Sequence, residues 1–208
     1  MAAYEPEFVD QRLTLEALLR DREPQLWVLY GEPGSGKSYT LHEVAREHTR
    51  LEQELAQTGG EFAVIVDFAE DEKLACNKRG VMHLLYDRLG CDIPDAKAMK
   101  RNPQTGEDKT RALLEEFMVA SPFNNGLYVG RQILFGFDSL HLAVEEDMLR
   151  WLREDVAQTL VGDPPWVGAQ AWMLNQGTPI AKVVMVVRYG GIRFPPPRDR
   201  RWSDFERS

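Results

Sequence analysis

The eight residues Gly31-Glu32-Pro33-Gly34-Ser35-Gly36-Lys37-Ser38 constrain this chain more than any other feature. They match the Walker A pattern G-x-x-x-x-G-K-[ST] at every fixed position. The apolar run Leu26-Trp27-Val28-Leu29-Tyr30 precedes them and reads as a buried strand. From Ser38 the spacing changes: Leu41, Val44, Ala45, His48 and Leu51 recur at helical intervals, and the pattern ends near Gly59 and Gly60. A glycine-rich turn between a strand and a helix suits polyphosphate, because loop N–H groups and the positive end of the helix dipole face the anion. Glycines let the backbone wrap closely, Lys37 supplies a mobile charge for the β- and γ-phosphates, and the Ser38 hydroxyl is a ligand for Mg²⁺. A turn that only caps a helix gives no reason for Lys37. The loop's candidate nucleotide-binding residues are therefore Gly31, Glu32, Pro33, Gly34, Ser35, Gly36, Lys37 and Ser38, with Tyr39 following.

Further along, Phe62 to Phe68 is β-branched and continuous, and Val81, Leu84, Leu85 and Leu89 mark a helix that stops at Gly90. The stretch 92–106 is polar and reads as a loop, and a helix is predicted from about Asp108 to Ala120. A turn-rich link leads to Gln132-Ile133-Leu134-Phe135-Gly136-Phe137, a third strand ending in Asp138. The spacing predicts a helix over Glu145–Leu160, and Lys182–Val187 is a fourth strand ending in Arg188. Between these two, Trp166 and Trp172 sit in a segment without clear period, read as a packed loop or short helix. Strands that are apolar without alternation are buried on both faces, and strands separated by helices pair in parallel through right-handed crossovers. The expected class is α/β: a three-layer P-loop NTPase fold whose mainly parallel sheet is flanked by helices.

Two hundred and eight residues suit one such core with a little to spare. The division read from the pattern is an N-terminal segment and helix (1–25), the P-loop core (26–190) and a basic, proline-containing tail or linker (191–208). That last part resembles no further core. From Arg188 onward there are six arginines against three acids. The whole chain has a net charge of −8, which weighs against general adhesion to nucleic acid or an anionic membrane. No apolar run is long enough to span a bilayer, and the first residues lack a signal-peptide pattern. Cys76 and Cys91 are too few for a disulfide framework, so a cytoplasmic protein with free thiols is expected.

A phosphate loop needs an acid at a neighbouring strand tip to hold the metal. Asp138 is the leading candidate, because its apolar run is longer and ends abruptly there; Asp67 is the lesser one. Hydrolysis also needs a group that orients water and a cation for transition-state charge. His141 is the candidate for the first if neutral, although a histidine after a strand is also commonly structural. Arg188 is the candidate for the second, with a surface arginine as its other reading. Glu145, Glu146 and Asp147 read as the acidic first turn of a helix.

Taken in order, these pieces resemble the STAND class of P-loop NTPases, signal-transducing relatives of the AAA+ ATPases. Phe8-Val9-Asp10-Gln11-Arg12, followed by Leu13, Leu15, Leu18 and Leu19, is similar to that family's Phe-Val-Gly/Asp-Arg motif and helix, here with Gln11 as an extra residue. The resemblance implies that Phe8 and Val9 lie over an adenine, so that ATP or ADP is the nucleotide. Val66-Asp67-Phe68 looks like the family's second strand. Phe137-Asp138-Ser139-Leu140 resembles its Walker B, with His141 where a second acid usually stands. The resemblance thus implies metal binding at Asp138 with weak or absent hydrolysis, and γ-phosphate sensing by Arg188. Relatives continue into a helical lid and a winged-helix domain, whereas 20 residues follow Arg188 here. The expectation is the core module of a longer protein, or a reduced member that works with a protein partner.

The leading functional reading is an ATP- and Mg²⁺-dependent molecular switch in signalling or assembly. A small-molecule kinase is an alternative, with Pro103–Lys109 as a weak candidate lid. A DNA-linked AAA+ ATPase is another, with Arg193, Arg198, Arg200, Arg201 and Arg207 as phosphate contacts.

Overall fold

The computed structural model describes residues 19–20, 25–57, 59–71, 75, 77–90, 110–114, 116–117, 131–143, 147–161, 180–188 and 202–205. Strand β1 (Gln25–Gly31) runs through the glycine loop into α1 (Lys37–Ala56). The chain continues through β2 (Ala63–Asp67), α2 (Lys78–Arg88) and β3 (Gln132–Asp138). Helix α3 (Met148–Trp151) follows, then β4 (Ile180–Arg188) and β5 (Trp202–Phe205). The strands form one sheet in the order β2-β3-β4-β1-β5, and every pair is parallel. The expected four strands and the parallel sheet are all present.

Side-chain alternation divides the interior into two faces, which makes three layers. On one face Leu41, Val44 and Ala45 of α1 pack against Leu134 of β3 and Val184 and Val186 of β4. On the other, Phe135, Phe137, Val183 and Met185 meet Val81 and Leu85 of α2, together with Leu152 and Val156. Residues 110–114 and 116–117 are helical and join this second face. Phe117 packs edge-on against both Tyr86 and Phe135, with ring centres 5.0 and 6.3 Å apart. All seven residues of β3 are buried, as its unbroken apolar run predicts.

Asn77 starts α2 by accepting a hydrogen bond from the Gly80 N–H at 2.9 Å, so a capping side chain positions that helix. Helix α1 begins differently. Gly36 stands at its N-cap, and its first turn carries neither a capping side chain nor an acid of its own.

Gly136 lets α1 lie close to the sheet. A Cβ there would sit 2.9 and 3.1 Å from the two Leu41 methyls and 3.2 Å from Ile65 Cγ1. Leu41 is branched and fully buried, so it cannot move aside freely, and overpacking of this kind costs about 1–3 kcal/mol. Gly136→Ala is expected to lower Tm by about 2–12 °C in calorimetry, because each kcal/mol moves a chain of this size by about 2–4 °C. An unchanged Tm would show that α1 is not held by this contact.

Two expectations change. The helix expected over Glu145–Leu160 starts at Met148, and residues 144–146 lie outside the described set. It is also not uniform, since Leu152–Ala157 is a π-helix and only Gln158–Leu160 returns to α. Apolar residues four apart suit either bonding pattern, so spacing alone does not separate them. The reading of 191–208 as a tail apart from the core also departs from the structure, because Leu26–Leu29 of β1 pair with Trp202–Phe205. A four-residue edge strand needs backbone pairing more than an apolar run, and Trp-Ser-Asp-Phe has no such run.

Candidate functional site

The sheet order decides which groups meet the loop. Strand β4 lies between β1 and β3, and Gly31 is in register with Arg188. Asp138, at the end of β3, is two strand spacings from β1, about 10 Å, whereas Asp67 on β2 is three, about 14 Å. Asp67 is also occupied locally: its carboxylate accepts the Ala69 N–H at 2.9 Å, which is the turn-capping role. Of the two acids, Asp138 is the one that lines the cleft beside the loop.

A cleft of about 270 Å³ brings Pro33, Gly34, Gly36, Lys37, Ser38 and Tyr39 together with Asp138, Ser139, His141 and Val186. Gly34 and Gly36 have φ values of +80° and +83°, a backbone region that costs other residues about 1–2 kcal/mol. Gly31 is needed for a different reason, since a Cβ there would lie 2.8 Å from Ser35 Oγ. The Ser35 N–H donates to the Glu32 carbonyl at 3.2 Å and closes the turn. Lys37 is 9% exposed, and its ammonium donates to the Gly31 and Glu32 carbonyls, both at 2.7 Å, and to Ser35 Oγ at 3.0 Å. These bonds hold the positive charge inside the curve of the loop. The Ser38 hydroxyl and the Tyr39 ring, 60% exposed, sit on the first turn of α1.

Asp138 is 1% exposed. Its Oδ1 accepts the Ser139 N–H at 2.6 Å, while its buried Oδ2 meets no donor. A buried carboxylate oxygen without a partner is a costly group that a cation would satisfy. Ser139 has φ +54°, uncommon for a residue other than glycine, and the strain falls directly beside the acid. The chain then turns into the short 3₁₀ helix Leu140–Leu142, which brings His141 to the cleft.

Of the expected site residues, the whole loop, Ser38, Tyr39, Asp138 and His141 meet at this one end of the sheet. Arg188 has its backbone at the tip of β4 beside Gly31, and its side chain lies outside the described set, as do Phe8 and Val9. The candidate lid at 103–109, Trp166, Trp172 and the arginines from 193 onward lie outside it too. Sequence reasoning missed Val186, whose place in the cleft follows from strand register alone. The Ser38 hydroxyl and the Asp138 carboxylate are oxygen donors of the kind Mg²⁺ takes, and no cluster of three metal-binding side chains occurs among the described residues. Among those residues no helix is long and apolar enough to cross a membrane.

No protein-family model and no curated protein matches the chain. Solved structures do. The fold is similar to a chain in the structure of Drosophila ORC bound to DNA, with 16% identity and a TM-score of 0.50 over 91% of this chain and 39% of that one. It is also similar to the Aeropyrum pernix ORC2 protein, in its ADPNP-ADP complexes (14% identity, TM-score 0.43) and its ADP form (14%, 0.45). Each of those two matches covers 88% of this chain and 40% of the other. The parallel sheet and the Drosophila match give the chain the α/β P-loop NTPase fold, and it spans about two fifths of the length of the ORC chains it matches.

Proposed function

We propose that this chain is an ATP- and Mg²⁺-binding P-loop module that works as a nucleotide-dependent switch, with weak or absent hydrolysis. The observation that carries the reading is the cleft itself, where the Lys37 loop faces a buried Asp138 with one unpartnered oxygen. Lys37 and the uncapped first turn of α1 would hold the phosphates, and Ser38 and Asp138 would hold Mg²⁺, which neutralises phosphate charge when bound. Arg188, at the strand tip beside Gly31, is the residue we assign to γ-phosphate sensing. Phe8, Val9 and Tyr39 are assigned to the nucleoside side, on the STAND resemblance for the first two. A switch needs contacts that differ between two states, and Lys37, Ser38 and Arg188 are the groups whose contacts depend on the third phosphate.

Weak hydrolysis follows from what stands beside the acid. Ser139 and His141 occupy the places where carboxylates would orient water, and His141 can do so only as the neutral ring. A native mass spectrum of the protein with ATP and Mg²⁺ is expected to show one bound nucleotide with turnover near background over an hour. Rapid phosphate release would remove the switch reading, and absence of the complex would remove nucleotide binding as well. A DNA-linked ATPase is the second reading, favoured by the fold's similarity to a chain from a DNA-bound ORC structure. Duplex affinity that falls steeply with salt, and falls further when Arg198, Arg200 and Arg201 become alanine, would support it over the partner-protein reading.

A further inference from the structure

Among the described residues, two besides glycine have positive φ, Gln57 and Ser139. Gln57 follows the last turn of α1 and its N–H donates to the Gln53 carbonyl, so the left-handed backbone there is an ordinary helix stop. Ser139 instead ends a strand, with φ +54° and ψ +32°. Its backbone makes two bonds. The Ser139 N–H donates to Asp138 Oδ1 at 2.6 Å, and the Ser139 carbonyl accepts the Leu142 N–H at 2.9 Å, which starts the 3₁₀ helix Leu140–Leu142. Neither bond uses the side chain. Glycine would make both, and it adopts this backbone without the crowding that a Cβ brings.

A serine in a turn is usually explained by its hydroxyl, which bonds a nearby backbone group or caps the helix that follows. Ser139 stands at the N-cap of the 3₁₀ helix, yet its side chain makes no capping bond. The core does not enclose it either. Ser139 is half-buried and lines the cleft together with Lys37, Ser38, Asp138 and His141. A hydroxyl carried on a strained backbone, at a cleft wall and without a capping role, is a group kept for what enters the cleft. Its place directly after Asp138 indicates which part. Oδ2 of that acid is buried without a donor, a position for a cation, and Mg²⁺ keeps several of its waters when protein carboxylates and phosphates bind it. Such waters are donors that need acceptors, and a serine hydroxyl is one.

We propose that the Ser139 hydroxyl is a further element of the cation site, accepting a hydrogen bond from a water of the Mg²⁺ ion that Asp138 would hold. The proposal rests on the ATP- and Mg²⁺-binding reading above. It gives Ser139 two separable parts: the backbone fixes the Asp138 carboxylate, and the side chain serves the hydrated cation.

Two substitutions in the full chain separate these parts. Ser139→Ala keeps the Cβ and its strain and removes only the hydroxyl, whereas Ser139→Gly removes the hydroxyl and relieves the strain. In titration calorimetry the gain in ATP affinity on adding Mg²⁺ is expected to fall about fivefold in both variants, with affinity in EDTA within about twofold of the parent's. In scanning calorimetry in EDTA the alanine variant is expected within about 2 °C of the parent, and the glycine variant no lower than the parent. Glycine would then suit the fold better and the cation worse, a combination that a residue serving only the turn cannot give. Variants that keep the parent's Mg²⁺ gain would overturn the proposal and leave nucleotide binding standing. An equal loss of affinity with and without Mg²⁺ would place the hydroxyl on phosphate and overturn it as well. A parent that binds ATP without any Mg²⁺ gain would remove the cation site and this proposal together, and a parent that binds no ATP would remove the reading on which both rest.

Discussion

Lys37→Ala is expected to weaken ATP binding by about 100-fold or more in titration calorimetry, with Tm moving by no more than a few degrees. The ammonium is held inside the loop, at 2.7 Å from the Gly31 and Glu32 carbonyls. Charge-assisted hydrogen bonds are worth about 1.5–3 kcal/mol each, so losing two contacts to phosphate removes about 3–6 kcal/mol, at least two decades in Kd. The cost to the fold is smaller. The loop carbonyls that lose Lys37 are near the surface and can bond to water, and the Ser35 to Glu32 bond keeps the turn closed. Lys37→Met, which keeps the aliphatic stem, separates charge from packing and is expected to match alanine in affinity. Calorimetry that gives either variant the parent's affinity would end the nucleotide reading.

How much of this was legible in the sequence depends on how local each feature is. The loop was fully legible, because its residue types are dictated by backbone geometry: Gly34 and Gly36 by positive φ, and Gly31 by the approach of Ser35. The four main strands were legible because burial on both faces leaves continuous apolar runs. Sheet order was not, since nothing within a strand states its neighbour. The sequence ranks Asp138 over Asp67 by the length of an apolar run; that Asp138 stands one strand spacing nearer β1 is visible only in the fold. Ser139 gives no sign of its left-handed backbone, because serine rarely adopts it and only the turn after β3 requires it. The short strand β5 and the outermost place of β2 among the described strands are hidden for the same reason. Both are properties of pairing, and pairing is nonlocal.

The second large effect is expected at Asp138, where binding and stability should move in opposite directions. In the metal-free protein this carboxylate is a liability, with Oδ2 buried and lacking a donor while Oδ1 bonds to the Ser139 N–H. An unsatisfied buried polar group costs about 1–3 kcal/mol, and a charged one more. The substitution Asp138→Asn preserves the shape and the acceptor for the Ser139 N–H while discarding the charge. It is therefore expected to leave Tm in EDTA unchanged or to raise it by about 2–4 °C per kcal/mol relieved. The gain in ATP affinity that the parent shows on adding Mg²⁺ should fall at least tenfold in the variant, since a neutral amide oxygen is a poorer ligand for a hard cation. A purely structural aspartate gives the reverse pattern, a lowered Tm with the Mg²⁺ response intact. Scanning calorimetry in EDTA and titration with and without Mg²⁺ read the two quantities independently. Natural sites accept instability where function requires it, and a buried acid kept beside a strained serine has that character.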